Sequence, residues 1–121
     1  MRIKAALAIA LMLVLGRVNA TEIHRRIVLK SEHQETVVSG RIPHPSDTAV
    51  FALRLPEGHF FLQLDPGPSL RAFALLKPPT GPQVGPGAKL DYVVQKTGMF
   101  QIRIVPREQT SGTFQLRLSL Q

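Results

Sequence analysis

Short segments in which apolar and polar side chains alternate fill most of this sequence, and this period of two is the strongest constraint on its fold. The segment AVFALRL, residues 49–55, places its large apolar side chains on one side, and HFFLQL, residues 59–64, repeats the pattern. Turn sequences, Pro56-Glu57-Gly58 and Asp65-Pro66-Gly67-Pro68, bound these segments. The pattern predicts an all-β fold, a single antiparallel β-sandwich of about eight strands.

The remaining candidate strands follow the same pattern along the chain. They are residues 23–29, 36–42, 70–77 and 90–95, followed by two strands that begin at Gly98 and Gly112. The segment KPPTGPQVGPGAK, residues 77–89, is the exception. Because proline cannot donate a ladder hydrogen bond and glycine has no side chain to pack, we expect a loop over one end of the sandwich here.

The first twenty residues, MRIKAALAIALMLVLGRVNA, have the pattern of a secretory signal peptide. Arg2 and Lys4 precede an apolar run that is shorter than the ~20 residues of a membrane-spanning helix, and Val18-Asn19-Ala20 is typical of a cleavage site. A retained membrane anchor is the alternative. We expect residues 1–20 to be the signal peptide, residues 21–121 to form the sandwich domain, and the protein to be exported, most simply to a periplasm.

Composition and spacing argue against an enzyme, a metal site and a nucleic-acid partner. His44, Ser46 and Asp47 crowd into one loop, without the turn pattern that exposes a catalytic serine. The four histidines lie in four separate segments, without metal-ligand spacing. After removal of residues 1–20, 12 basic and 8 acidic residues leave a net charge of +4, with no basic run. The sequence contains no cysteine, so no disulfide bond is available. We therefore expect a binding protein that needs no cofactor.

Two similar heptapeptides, GMFQIRI and GTFQLRL, form the C-terminal part of the chain. A hairpin explains both, because paired strands follow the same alternation of buried and exposed positions. The predicted register places Arg103 opposite Gln115 and Gln101 opposite Arg117.

Long polar side chains on the outer face of this hairpin are the candidates for binding a partner. Arg103 and Arg117 are neighbours in the predicted register, and Arg107 follows Pro106 at the tip of the connection. A solvated strand face is the simpler interpretation of Arg117, whereas for Arg107 solvation and binding are equally open. Because a guanidinium pairs with a carboxylate through two hydrogen bonds, a partner with an acidic cleft is expected.

Two parts of the sequence are similar to a known family. Residues 37–64, VVSGRIPHPSDTAVFALRLPEGHFFLQL, resemble the Ser-Gly-x-Ile … Asp-Thr-x-x-Phe start of the bacterial pre-peptidase C-terminal-like domain. The end, TGMFQIRIVPR…GTFQLRLSL, resembles the final two strands of that domain. Within this group the chain looks most like the periplasmic inhibitors of g-type lysozyme, through its size, its signal peptide, its lack of disulfides and its aromatic-x-Ile-Arg-Ile strand.

The resemblance implies a jelly-roll-type β-sandwich that docks its loops into the acidic substrate cleft of a g-type lysozyme and blocks it. By this analogy the partner-binding residues are Arg103, Arg107, Ser46, Asp47 and Thr48. The inhibitor pattern has a tyrosine after Asp-Thr, where this sequence has Ala49. The alternative is a carbohydrate- or protein-binding module of the cell envelope without inhibitory activity, with peptidoglycan or a polysaccharide as a possible ligand.

Overall fold

The computed structural model describes residues 21–29 and 35–121, which contain nine β-strands. The strands are β1 (Glu22–Ile27), β2 (Glu35–Ile42), β3 (Thr48–Leu55), β4 (Gly58–Pro66), β5 (Ala72–Lys77), β6 (Val84–Gly87), β7 (Lys89–Val94), β8 (Gly98–Pro106) and β9 (Gly112–Leu120). Sheet A has the strand order β1-β3-β8-β5-β6, and sheet B has the order β2-β9-β4-β7. The described residues include no helix long and apolar enough to cross a membrane. The predicted signal peptide, residues 1–20, lies outside them.

The core lies between the two sheets, where the apolar positions of each alternating strand meet. In β3 the side chains of Phe51, Leu53 and Leu55 are buried, and β9 contributes Phe114 and Leu116 from the opposite sheet. The rings of Phe51 and Phe114 meet edge to face, with their centroids 6.0 Å apart. Burial of each large apolar side chain stabilises the fold by about 1.5–3 kcal/mol. The prediction of an all-β sandwich is confirmed.

The sheets differ from the prediction in strand count and in one strand direction. β1 runs parallel to β3, so sheet A is mixed, whereas every other strand pair is antiparallel. The alternation reports which side of a strand is buried and carries no information on direction. The segment 77–89, predicted as a loop, contains the short edge strand β6, which pairs with β5 through Val84 and Gly87. Its ladder is short because Pro86, between these two residues, has no backbone N–H to donate.

The predicted C-terminal hairpin is wrong. β8 lies in sheet A between β3 and β5, whereas β9 lies in sheet B between β2 and β4. The two strands face the same core from opposite sides, and so they show the alternation that a hairpin would also show. Arg103 pairs with Val50 and Leu75 on the outer face of sheet A, and Arg117 with Val37 and Gln63 on that of sheet B. The row of Arg103, Gln101, Arg117 and Gln115 predicted for one face is therefore divided between two.

The Ser-Gly sequence near the start of the family resemblance has a packing reason. Gly40 pairs with Phe114 across β2 and β9, and a Cβ atom at residue 40 would collide with the Phe114 ring. Because Phe114 is buried and packed against Phe51, its ring cannot move aside without disturbing the core. Only glycine lets this edge strand pass over the aromatic side chain.

Candidate functional site

Three connections meet at one end of the sandwich and form the candidate site. They are residues 43–47 between β2 and β3, residues 67–71 between β4 and β5, and residues 107–111 between β8 and β9. The Gly67 N–H donates to the Thr113 carbonyl over 2.7 Å, and the Arg107 N–H donates to the Arg71 carbonyl over 2.6 Å. Backbone hydrogen bonds therefore hold the second and third connections together.

The turn that carries Arg107 is fixed by its own backbone and by one threonine. Glu108 and Gln109 have φ angles of 56° and 58°, and the Thr110 N–H donates to the Arg107 carbonyl over 3.1 Å. Positive φ at both central residues is typical of a tight type I′ turn. The Thr110 hydroxyl lies 2.6 Å from the Arg107 carbonyl oxygen and accepts a 2.9 Å hydrogen bond from the Arg71 N–H. Arg107 thus projects from a rigid base.

The side chain of Arg107 is exposed, and within residues 21–29 and 35–121 it forms no ion pair or hydrogen bond. Its neighbour Arg71, by contrast, lies 3.2 Å from the Glu108 carboxylate. The guanidinium of Arg107 is therefore available for a carboxylate from outside the chain, on a backbone whose position is already set.

Arg103 is held by an acidic residue of β1. Its guanidinium donates to the Glu22 carboxylate over 2.8 Å, and the second carboxylate oxygen lies 3.3 Å from Nε2 of His24. The hydrogen bond and charge of Arg103, with a smaller contribution from His24, hold the pKa of Glu22 below its usual value. The Arg103 side chain is 30% exposed, so it remains accessible beside its partner.

The β2–β3 connection carries the predicted Ser46, Asp47 and Thr48. The Ser46 N–H donates to Nδ1 of His44 over 3.1 Å, and the Ser46 hydroxyl lies 2.7 Å from the same nitrogen. Nδ1 is therefore an acceptor, and the contact folds the turn locally. Asp47 is 2% exposed, so its side chain lies inside the end of the sandwich, whereas Ser46 and Thr48 are half-buried at its surface.

The structure brings the predicted residues to one corner. Ala49 pairs with Ile104, which puts the start of β3 beside the end of β8 from which Arg107 projects. Glu22 pairs with Thr48 and binds Arg103, so it joins two of the predicted positions. Ala49 itself is buried in the core.

Sequence reasoning missed Glu22, Arg71 and Thr110. The pair Glu22–Arg103 is separated by 81 residues and the pair Arg71–Thr110 by 39. Alternation identifies exposed positions but cannot show which of them meet across strands. No local signal in the sequence could have found these contacts.

This arrangement, two packed sheets with the candidate loops at one end, is similar in fold to a solved pre-peptidase C-terminal domain. The solved pre-peptidase C-terminal domain of a Bacillus anthracis collagenase superposes with a TM-score of 0.59 at 14% identity, covering 81% of this chain and 96% of the domain. The likeness predicted from the sequence is confirmed at the level of the fold.

Two periplasmic inhibitors of g-type lysozyme have the same fold. PliG from Aeromonas hydrophila matches with a TM-score of 0.62 at 12% identity, covering 83% of this chain and 99% of PliG. PliG from Salmonella Typhimurium matches with a TM-score of 0.61 at 11% identity, covering 82% and 98%. The neighbours of this fold thus include two lysozyme inhibitors and the C-terminal domain of a collagenase. No protein-family model and no curated protein sequence matches this chain.

Proposed function

We propose that this protein is an exported, non-enzymatic inhibitor of g-type lysozyme that acts in the periplasm. The observation that carries the proposal is the exposed Arg107 guanidinium on a fixed turn, at one end of a sandwich with the fold of PliG inhibitors. Glycoside hydrolases depend on carboxyl groups in their substrate cleft. Because the backbone beneath Arg107 is already fixed, binding a carboxylate there costs only the freedom of the side chain itself.

The other predicted residues have distinct roles in this proposal. Arg103 exchanges the Glu22 carboxylate for one of the partner, at little cost because an exposed ion pair contributes little to stability. Ser46 and Thr48 offer polar contacts beside it. Asp47 is buried, so it shapes the loop instead of touching the enzyme.

The test is hydrolysis of peptidoglycan by a purified g-type lysozyme in the presence of residues 21–121. We expect inhibition, and we expect Arg107→Ala to weaken it by at least about 30-fold, the effect of losing an interface residue worth about 2 kcal/mol. Arg54→Ala is the matched control, since Arg54 is exposed on β3 near the opposite end of the sandwich and should leave inhibition unchanged. Full hydrolysis at a large molar excess of the wild-type protein would sink the proposal.

A further inference from the structure

A depression of about 380 Å³ lies on the outer face of sheet B, away from the loops of the proposed lysozyme site. It spans β9, β4 and β7, with the start of β2 at its border. The lining side chains include those of Phe61, Gln63, Lys89, Asp91, Arg117 and Ser119. Its volume falls in the lower part of the range of small-ligand pockets.

A half-buried aromatic side chain, Phe61, lines the depression. The cross-strand neighbours of Phe61 are Ser119 on β9 and Asp91 on β7, whose side chains are short and polar. His59 stacks against Phe61, with the ring centroids 4.2 Å apart and an angle of 25° between the planes. The stacked histidine limits the freedom of the phenyl ring, so a partly exposed apolar surface is held in place on this sheet face.

Polar groups beside the ring are oriented by one carboxylate. Asp65 accepts a hydrogen bond from Nε2 of Gln63 over 3.0 Å with one oxygen, and from Nε of Arg117 over 3.1 Å with the other. The Gln63 carbonyl and the terminal amino groups of Arg117 are not part of these two bonds. One acceptor and a pair of donors are thus held in a fixed arrangement next to Phe61.

Charge selects the kind of ligand. Arg117 and Lys89 are balanced in and around the depression by Glu35, Asp91 and Asp65, and Arg117 is directly paired. A polyanion such as a nucleic acid requires an excess of basic groups, which this face lacks. A ligand ring with one apolar face and a rim of hydroxyl groups fits this face. It can stack on the Phe61 ring and form hydrogen bonds with the polar groups of Gln63 and Arg117.

From these observations we propose that the outer face of sheet B is a binding site for a pyranose sugar of a glycan chain. The apolar face of the sugar ring lies on Phe61, and its polar substituents bind Gln63, Arg117 and the neighbouring Ser119. The site is independent of the proposed lysozyme inhibition, because its residues lie on a strand face of sheet B and those of the inhibitory site surround the start of β3 and the end of β8.

The experiment is an NMR titration of the ¹⁵N-labelled residues 21–121 with two probes, the trisaccharide of N-acetylglucosamine and maltotriose, at millimolar concentration. We expect the amide signals of β4, β7 and β9 around Phe61 to shift, while those of the Arg107 turn stay in place. Shifts with either trisaccharide support a pyranose site, and a response to the N-acetylated probe alone assigns recognition of the acetamido group.

Variants make the test specific. Phe61→Ala and Gln63→Ala should each weaken sugar binding about tenfold, which corresponds to the loss of one good contact, and Gln63→Ala is the milder change for the fold. Phe73→Ala, which removes a half-buried aromatic ring from the outer face of sheet A, should leave binding unchanged.

Three outcomes would overturn the proposal: no shift with either probe, shifts confined to other surfaces, or Phe61→Ala and Gln63→Ala variants that bind the sugar as tightly as the wild-type protein. Lysozyme inhibition by Phe61→Ala should remain normal, so the two proposals fail separately.

Discussion

Arg103 and Arg107 lie only four residues apart, but their side chains have different environments. Arg103 is bound by the Glu22 carboxylate, whereas Arg107 has an exposed side chain on a backbone fixed by Arg71 and Thr110. The first must exchange a partner to bind another molecule, and the second need not. In the proposed complex we therefore expect Arg107 to contribute more binding free energy than Arg103.

The pKa of Glu22 measures the ion pair with Arg103 directly. Because Arg103 stabilises the ionised carboxylate, Arg103→Ala should raise the pKa of Glu22 toward its usual value. A carboxyl whose pKa is lowered in the folded state contributes stability above its unfolded pKa, and this contribution disappears as the pH falls through the folded pKa. The measurement is an NMR pH titration of the Glu22 side-chain carboxyl in both proteins. Arg54→Ala should leave the titration unchanged, and an unaltered pKa in Arg103→Ala would contradict the assigned contact.

The sequence predicts where the strands lie but not which strands pair with each other. Most predicted strands lie within one or two residues of the observed ones, because buried and exposed positions alternate wherever one face of a strand meets the core. The pairing of β8 with β9 failed, since both strands face one core and alternation alone cannot separate two sheets from one hairpin. β6 was missed because its Gly85-Pro86 sequence is typical of a loop.

The β8–β9 turn holds two non-glycine residues in a left-handed backbone conformation. That conformation costs an ordinary residue about 1–2 kcal/mol, and glycine adopts it without strain. Gln109→Gly should therefore raise the stability of the domain by about 1 kcal/mol, which corresponds to a rise of about 4–8 °C in the melting temperature. Gln115→Gly on β9 is the control and should lower stability, because an extended strand gains nothing from glycine. Thermal unfolding followed by circular dichroism distinguishes these outcomes, and a fall for Gln109→Gly would contradict the turn geometry.

At the scale of the whole molecule, the sequence placed the candidate residues at segment ends but did not show how those ends meet. The strand and turn sequences placed Arg107 and the loop from Ser46 to Thr48 at segment ends, and the fold joins those ends because β3 and β8 are antiparallel neighbours. Glu22 enters the site only because β1 runs parallel to β3. Long-range pairing of this kind has no period or spacing in the sequence that could reveal it.

No disulfide bond can join the two sheets at their open edge, because the chain has no cysteine. A non-covalent contact joins them there instead. Arg25 on β1 of sheet A donates a 2.7 Å hydrogen bond to the Ser39 carbonyl on β2 of sheet B. Its guanidinium also lies 5.7 Å from the centroid of the Phe51 ring, within the range of a cation–π contact. One side chain therefore joins the edge strands of both sheets and covers an aromatic ring of the core.

Removal of this contact should weaken the sandwich as a whole. Arg25→Ala loses a charged hydrogen bond and a cation–π contact at an exposed site, and we expect a fall of about 1–2 kcal/mol in the free energy of unfolding. Arg26→Ala is the matched control: its side chain is exposed on the outer face of sheet A, so the change should stay within about 0.5 kcal/mol. Urea unfolding of both variants measures the difference. Equal losses of unfolding free energy in the two variants would mean that the positive charge of β1, and not the bridge between the sheets, supports the fold. A loss confined to Arg25→Ala identifies the edge contact as a connection between the two sheets.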